Sequence, residues 1–104
     1  MNFDEVIRKR KSIRKFSEKP VGKEAILQLL ESARLAPSAV NFQPWKFYVC
    51  ISEESKKAIR ESYPREFFSF AQTYIVACGD HSRSWKRPSD GNDHCDIDIA
   101  IAVE

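Results

Sequence analysis

No run of apolar residues in this 104-residue chain approaches the roughly 20 needed to cross a bilayer, so the sequence predicts no membrane-spanning helix and no membrane partner. Cysteine is sparse: Cys50, Cys78 and Cys95 are odd in number and lack framework spacing, which predicts free thiols in a reducing compartment. The excess of one sign of charge is small too, and a net +2 does not mark the whole chain as a nucleic-acid binder. The start, Met1 to Glu5, is acidic and short of apolar residues, unlike a signal peptide. There is no internal repeat, low-complexity tract or linker. These absences predict a soluble, cytoplasmic protein with one domain over residues 1–104, and 42% hydrophobic content suffices for one core.

What is present alternates between helical and extended patterns. Phe3, Val6 and Ile7 follow Asn2, a possible cap, at helical spacing. Arg10 to Phe16 changes pattern, and an extended backbone there would set Arg10, Ser12 and Arg14 on one face. Lys19 to Gly22 is a turn. Ile26, Leu27, Leu29, Leu30, Ala33 and Leu35 then mark an amphipathic helix that Pro37 ends. Trp45 to Ile51, aromatic and β-branched, predicts a buried strand. Ser52 to Ser55 starts another helix, which runs through Ala58, Ile59 and Tyr63 to Pro64.

Phe67, Phe68, Phe70 and Ala71 form an apolar patch whose shape the pattern leaves open. Tyr74 to Cys78 predicts a second strand closed by Gly79 and Asp80, and His81 to His94 a polar, mobile loop. The last segment supports two readings. Ile97, Ile99, Ile101 and Val103 alternate as in a strand, whereas an Asp93 cap, Asp96 in the first turn and small Ala100 and Ala102 suit a helix packed closely on several sides. Glu104 follows this apolar run with no stop signal, so the chain is expected to be truncated at its C-terminal end.

Two stretches carry chemistry. Pro37 to Trp45 joins a helix to a strand through Ser38, Asn41 and Gln43, whose hydroxyl and amide groups both donate and accept, as a neutral heterocycle edge requires. Its two prolines bias Ala36 and Gln43 away from helix and toward extended geometry, which predicts a stiff loop. A plain connection whose polar groups satisfy local backbone is the competing reading. The basic run Arg8 to Lys11, continued by Ser12, Arg14 and Lys15, is either a solvated stretch or a phosphate clamp of guanidinium forks flanking a hydroxyl. A nucleic-acid site is the weaker third reading, because no aromatic residue interleaves before Phe16.

Together, Arg10-Lys11-Ser12-Ile13-Arg14 and the Pro37 to Trp45 loop resemble the nitroreductase family of FMN-dependent flavoproteins. The resemblance extends through Lys19 to Val21, the strand after Trp45 and the segment Asp98 to Ala102. It implies an α+β fold, a mixed or antiparallel sheet flanked by helices and incomplete in this chain, with the final segment a central helix. It further implies a homodimer that shares FMN sites across its interface, NAD(P)H as hydride donor and a small electron-poor acceptor such as a nitroaromatic or quinone. By the same resemblance Arg10, Lys11, Ser12 and Arg14 contact phosphate and ribityl, while Pro37, Ser38, Ala39 and Asn41 reach the flavin of the partner subunit. Gln43 and Trp45 support that loop. No catalytic side chain is implied, because the chemistry resides on the flavin. The family often has glycine where this chain has Val40, which narrows the backbone options there.

Other constellations are weaker. Cys78, His81, His94 and Cys95 are possible zinc ligands, but adjacent His94 and Cys95 would seldom close a tetrahedral site, so no metal is expected. Asp90, Asp93, Asp96 and Asp98 lack EF-hand spacing and predict helix capping and a solvated loop. Phe67, Phe68, Phe70 and Trp85 are candidates for substrate packing, with core packing the competing role. A basic nucleic-acid module and a noncatalytic family relative remain as rival functions; the reading adopted expects no nucleic-acid partner.

Overall fold

The computed structural model describes all 104 residues. In chain order the elements are α1 (Phe3–Lys9), α2 (Lys23–Arg34), a 3-10 turn (Ala39–Asn41), β1 (Trp45–Cys50), α3 (Glu53–Ser62), α4 (Glu66–Ser69), β2 (Tyr74–Gly79) and α5 (Cys95–Val103). β1 and β2 pair antiparallel, with Trp45 opposite Gly79 and Cys50 opposite Tyr74. No helix is long and apolar enough to cross a membrane.

Local chemistry explains the helix ends. Asn2 Oδ1 accepts the Glu5 N–H at 3.0 Å and Glu5 Oε2 accepts the Asn2 N–H at 2.9 Å, a reciprocal capping box at the start of α1. Ser52 Oγ caps α3 by accepting the Ser55 N–H. The phenylalanine patch folds as the short α4, which packs on β2: the rings of Phe68 and Tyr74 lie 4.8 Å apart, and Tyr63 stands edge-on to Phe68 at 5.2 Å. Tyr74 Oη donates to the Phe68 carbonyl and accepts from Arg60 Nε, so the buried phenol has both partners.

Several expectations are corrected. β1 is not buried throughout: Lys46 and Tyr48 point to solvent while Trp45, Phe47 and Val49 are half-buried, the alternation of a strand with one covered face. The final segment is a helix despite its alternating isoleucines, and its burial falls on Cys95, Asp98 and Ala102. That is helical spacing, and it covers one face of α5 rather than several. The stretch 81–94 is a loop, as expected, and turns and a bridge between Lys86 and Asp93 hold it.

The core is thin. Only 8 of 104 residues are buried, and the radius of gyration of 15.9 Å exceeds the roughly 13 Å typical of a compact domain this long. The apolar faces of α1 (Phe3, Val6, Ile7) and of α5 (Ile97, Ile101, Val103) lie in solvent. What core there is centres on the junction of β2, α5 and the 37–45 loop, where Pro44, Cys95 and Asp98 are the largest fully buried side chains.

Candidate functional site

Residues 37–45 leave α2 and enter β1 by a route the prolines only partly dictate. Ala36 is outside the helix, as expected, and Ser38 is extended with φ −138°. Val40, Asn41 and Gln43 then take φ of 56°, 57° and 52°, in the left-handed region. Such angles are tolerable for Asn and costly for a β-branched valine. Gln43 departs from the extended geometry favoured before a proline, because its N–H turns back to donate to Ser38 Oγ at 2.9 Å.

Further bonds close the loop. The Asn41 N–H donates to the Ser38 carbonyl at 2.9 Å and the Phe42 N–H to the Ala39 carbonyl at 3.2 Å. Two more tie it to the body. The Asp80 N–H, just past β2, donates to the Pro44 carbonyl at 2.8 Å, and the Ala39 N–H donates to Asp98 Oδ1 of α5 at 3.0 Å. No hydrogen bond engages the Asn41 side chain, which is exposed.

The basic segment is built differently. Residues 10–19 form no regular element and pair with no strand, so Arg10, Lys11, Ser12 and Arg14 stand exposed beyond α1. Of the four only Arg10 is in an ion pair, its Nε lying 3.2 Å from Glu104 Oε1 just past the end of α5. Arg14 lines a groove of about 410 Å³ with Phe67 and Phe70. Phe16 leans on Phe67 with ring centres 6.3 Å apart, anchoring the segment to the aromatic cluster. Ala39 and Arg10 thus meet α5 at Asp98 and Glu104, six residues or ~9 Å apart along the axis. None of the chain's grooves is lined by residues 37–45, so the loop presents its polar groups from an open surface rather than into a pocket of its own chain.

Comparison with known proteins settles the family. The nitroreductase family model matches residues 7–73. This chain belongs to the nitroreductase family. A nitroreductase family protein of Clostridium difficile superposes with a TM-score of 0.85 at 35% identity, covering 98% of this chain and 58% of that one. The major NAD(P)H-flavin oxidoreductase of Aliivibrio fischeri is 34% identical over 85 residues, 82% of this chain and 38% of its own length. A structure from Exiguobacterium sibiricum, solved in complex with FMN, matches with a TM-score of 0.70 at 35% identity over 80% of this chain and 41% of that one. The chain spans about half the length of its relatives, or less. Its helices around an antiparallel strand pair are the α+β architecture of these nitroreductase neighbours.

Within this nitroreductase chain the other sequence candidates resolve into structural roles. The atoms that could hold a metal come together as His81, Asp93 and Cys95, within 4.8 Å of one another, rather than as Cys78 and His94. Asp93 is already engaged: it accepts from Ser84 Oγ at 2.6 Å, from the Cys95 N–H at 2.8 Å and from His81 Nδ1 at 2.8 Å, with the Lys86 ammonium 3.6 Å away. Those bonds, led by Ser84, hold the Asp93 carboxyl far below the usual carboxylate range. Asp93 in turn raises the His81 pKa, while burial raises that of the Cys95 thiol. The group staples the 81–94 loop to the start of α5. Trp85 packs at a tilt against His94 with ring centres 4.8 Å apart, and Phe68 likewise against Tyr74, so both pack within the fold, whereas Phe70 is exposed.

Asp98 overturns its expectation. It neither caps nor meets solvent but lies buried beneath the loop, bonded to Ala39. The sequence signals were an acid in the middle of an isoleucine run and the family resemblance of the segment Asp98 to Ala102.

Proposed function

We propose that the protein is an FMN-dependent oxidoreductase that moves hydride from NAD(P)H to an electron-poor acceptor such as a nitroaromatic or quinone. The observation that carries this is the pairing, in a nitroreductase chain, of an exposed cationic arm, whose one ion pair is solvent-exposed, with a braced polar loop. The donor set fits the cofactor: guanidinium forks and a hydroxyl suit a terminal phosphate, and a free amide suits a heterocycle edge. These residues would hold FMN, which when bound would supply the redox chemistry between a reduced nicotinamide and the acceptor.

The chain's own residues bind and orient. Arg10 and Arg14 neutralise the phosphate, Ser12 donates to it and Lys11 adds positive charge. Pro37, Ser38, Ala39 and Asn41 set the pyrimidine edge of a flavin held by a second copy of the chain, and each donor aimed at the ring favours negative charge there. Three features support this shared site in a homodimer: the attachment of loop and arm to opposite parts of α5, the absence of a pocket at the loop, and the exposed apolar faces of α1 and α5.

The test is the visible spectrum of the full-length protein after purification, with FMN titration if it is colourless. A yellow protein, or one that FMN stabilises against heat, is the expected result. A colourless dimer indifferent to FMN would make this a noncatalytic family relative.

A further inference from the structure

The fold treats the two oxygens of Asp98 differently. Oδ1 accepts the Ala39 N–H at 3.0 Å, whereas Oδ2 is buried without a hydrogen-bond partner in a residue only 2% exposed. A buried carboxylate oxygen left unpaired costs stability, and no lysine or arginine forms an ion pair with Asp98 to offset it. The rest of this helix face is apolar, with Cys95 and Ala102 as its other buried members. Packing alone would favour another apolar residue.

Directly above lies the strain. Val40 and Asn41 are left-handed, and Val40 is largely exposed, so no burial of its side chain compensates for φ of 56°. The bonds from Asn41 to Ser38 and from Gln43 to Ser38 are internal to the loop and would move with it. The Ala39 N–H to Asp98 bond is the side-chain tie that fixes the loop to a separate element at the point where the strain begins.

We propose that Asp98 is a positioning residue, whose carboxylate holds residues 38–43 in the left-handed form that presents Ser38 and Asn41 to the cofactor. The identity of that cofactor rests on the preceding proposal; the control of the loop does not. Asp98→Asn keeps an oxygen for Ala39, and Asp98→Ala removes it. Val40→Gly removes the steric objection to a positive φ and lets the loop reach the same form with less restraint.

The experiment uses the full-length protein, FMN fluorescence titration and amide exchange at Ala39 in the absence of FMN. Expected are slow Ala39 exchange in the wild type and weakening of FMN binding by about ten-fold in Asp98→Ala with faster exchange at Ala39. Asp98→Asn should stay within about three-fold of wild type. In the Asp98→Ala background Val40→Gly should recover much of the lost affinity, a coupling that a merely structural role would not produce. The proposal is overturned if wild-type Ala39 exchanges like an open loop amide, a result that needs no variant to fold. It is also overturned if folded Asp98→Ala binds FMN as wild type does, or if Val40→Gly recovers nothing. Should the wild type bind no FMN, the cofactor assignment fails while Ala39 exchange still decides the role of Asp98.

Discussion

The 37–45 loop and the 10–19 arm serve one proposed site by opposite means. The loop is closed by its own hydrogen bonds, fixed to β2 and α5, and plugged into the densest part of the core by Pro44. The arm has one exposed ion pair and one aromatic contact, and every residue from Arg10 to Lys19 is exposed. On the proposed roles, the difference follows from what each would recognise. A phosphate is a compact charge that guanidinium forks can approach from several directions, whereas a heterocycle edge rewards only donors already in position. The largest fully buried side chains lie on the side of the loop.

The most direct way to break the comparison is to loosen the ground under the loop. A Cβ on Gly79 would lie 2.6 Å from Cys95 Sγ and 3.0 Å from Ile99 Cγ1, so Gly79→Ala must push α5 from β2. We expect it to cost about 2–3 kcal/mol in urea unfolding, and Cys95→Ala in the same chain to recover part of that. Unchanged stability would mean that α5 does not brace the loop tightly.

Arginine changes in the arm should show the converse. Arg10→Ala and Arg14→Ala are each expected to weaken FMN binding by about ten-fold, the loss of a charge-assisted contact, with little change in melting temperature. Binding unaltered by either would remove the phosphate assignment.

A smaller effect sharpens the role of the His81–Asp93 staple. Asp93 raises the His81 pKa, so this contribution is fully present below the unfolded value near 6.5 and is lost as pH rises through the higher folded value. The Asp93 pKa is depressed, chiefly by Ser84, so its contribution is present above about 4 and is lost as pH falls below that. Protection of residues 81–94, taken as the exchange rate relative to that of an unstructured amide at the same pH, should therefore be greatest between about pH 4 and 6.5. Replacing His81 with Asn should flatten the loss of protection on the alkaline side; a persisting loss would assign it elsewhere. Least of all, Glu104→Gln should leave the melting temperature unmoved, since its pair with Arg10 is exposed on both sides.

Much of this architecture was legible because its signals are local. Asn2 and Ser52 declare helix starts, the prolines bound the loop, and β-branched and aromatic residues mark both strands. Signals that depend on distant partners were not. The isoleucines of α5 alternate as a strand would, and only packing against β2 and α2 reveals that Cys95, Asp98 and Ala102 share the buried face. Gln43 defied its proline because one hydrogen bond to Ser38 outweighed a general backbone bias. Asp98 looked like one more solvated acid because burial of a side chain is written in the third dimension, 59 residues from the amide it holds.

The bond from the Gln43 amide to Ser38 Oγ also sets a polarity. That hydroxyl has one lone pair committed inside the loop, and accepting there strengthens its own proton as a gift to something outside. Ser38 keeps a second lone pair, while its own O–H is favoured toward carbonyl oxygens and ring nitrogens. The loop carries a chemical preference before any ligand arrives.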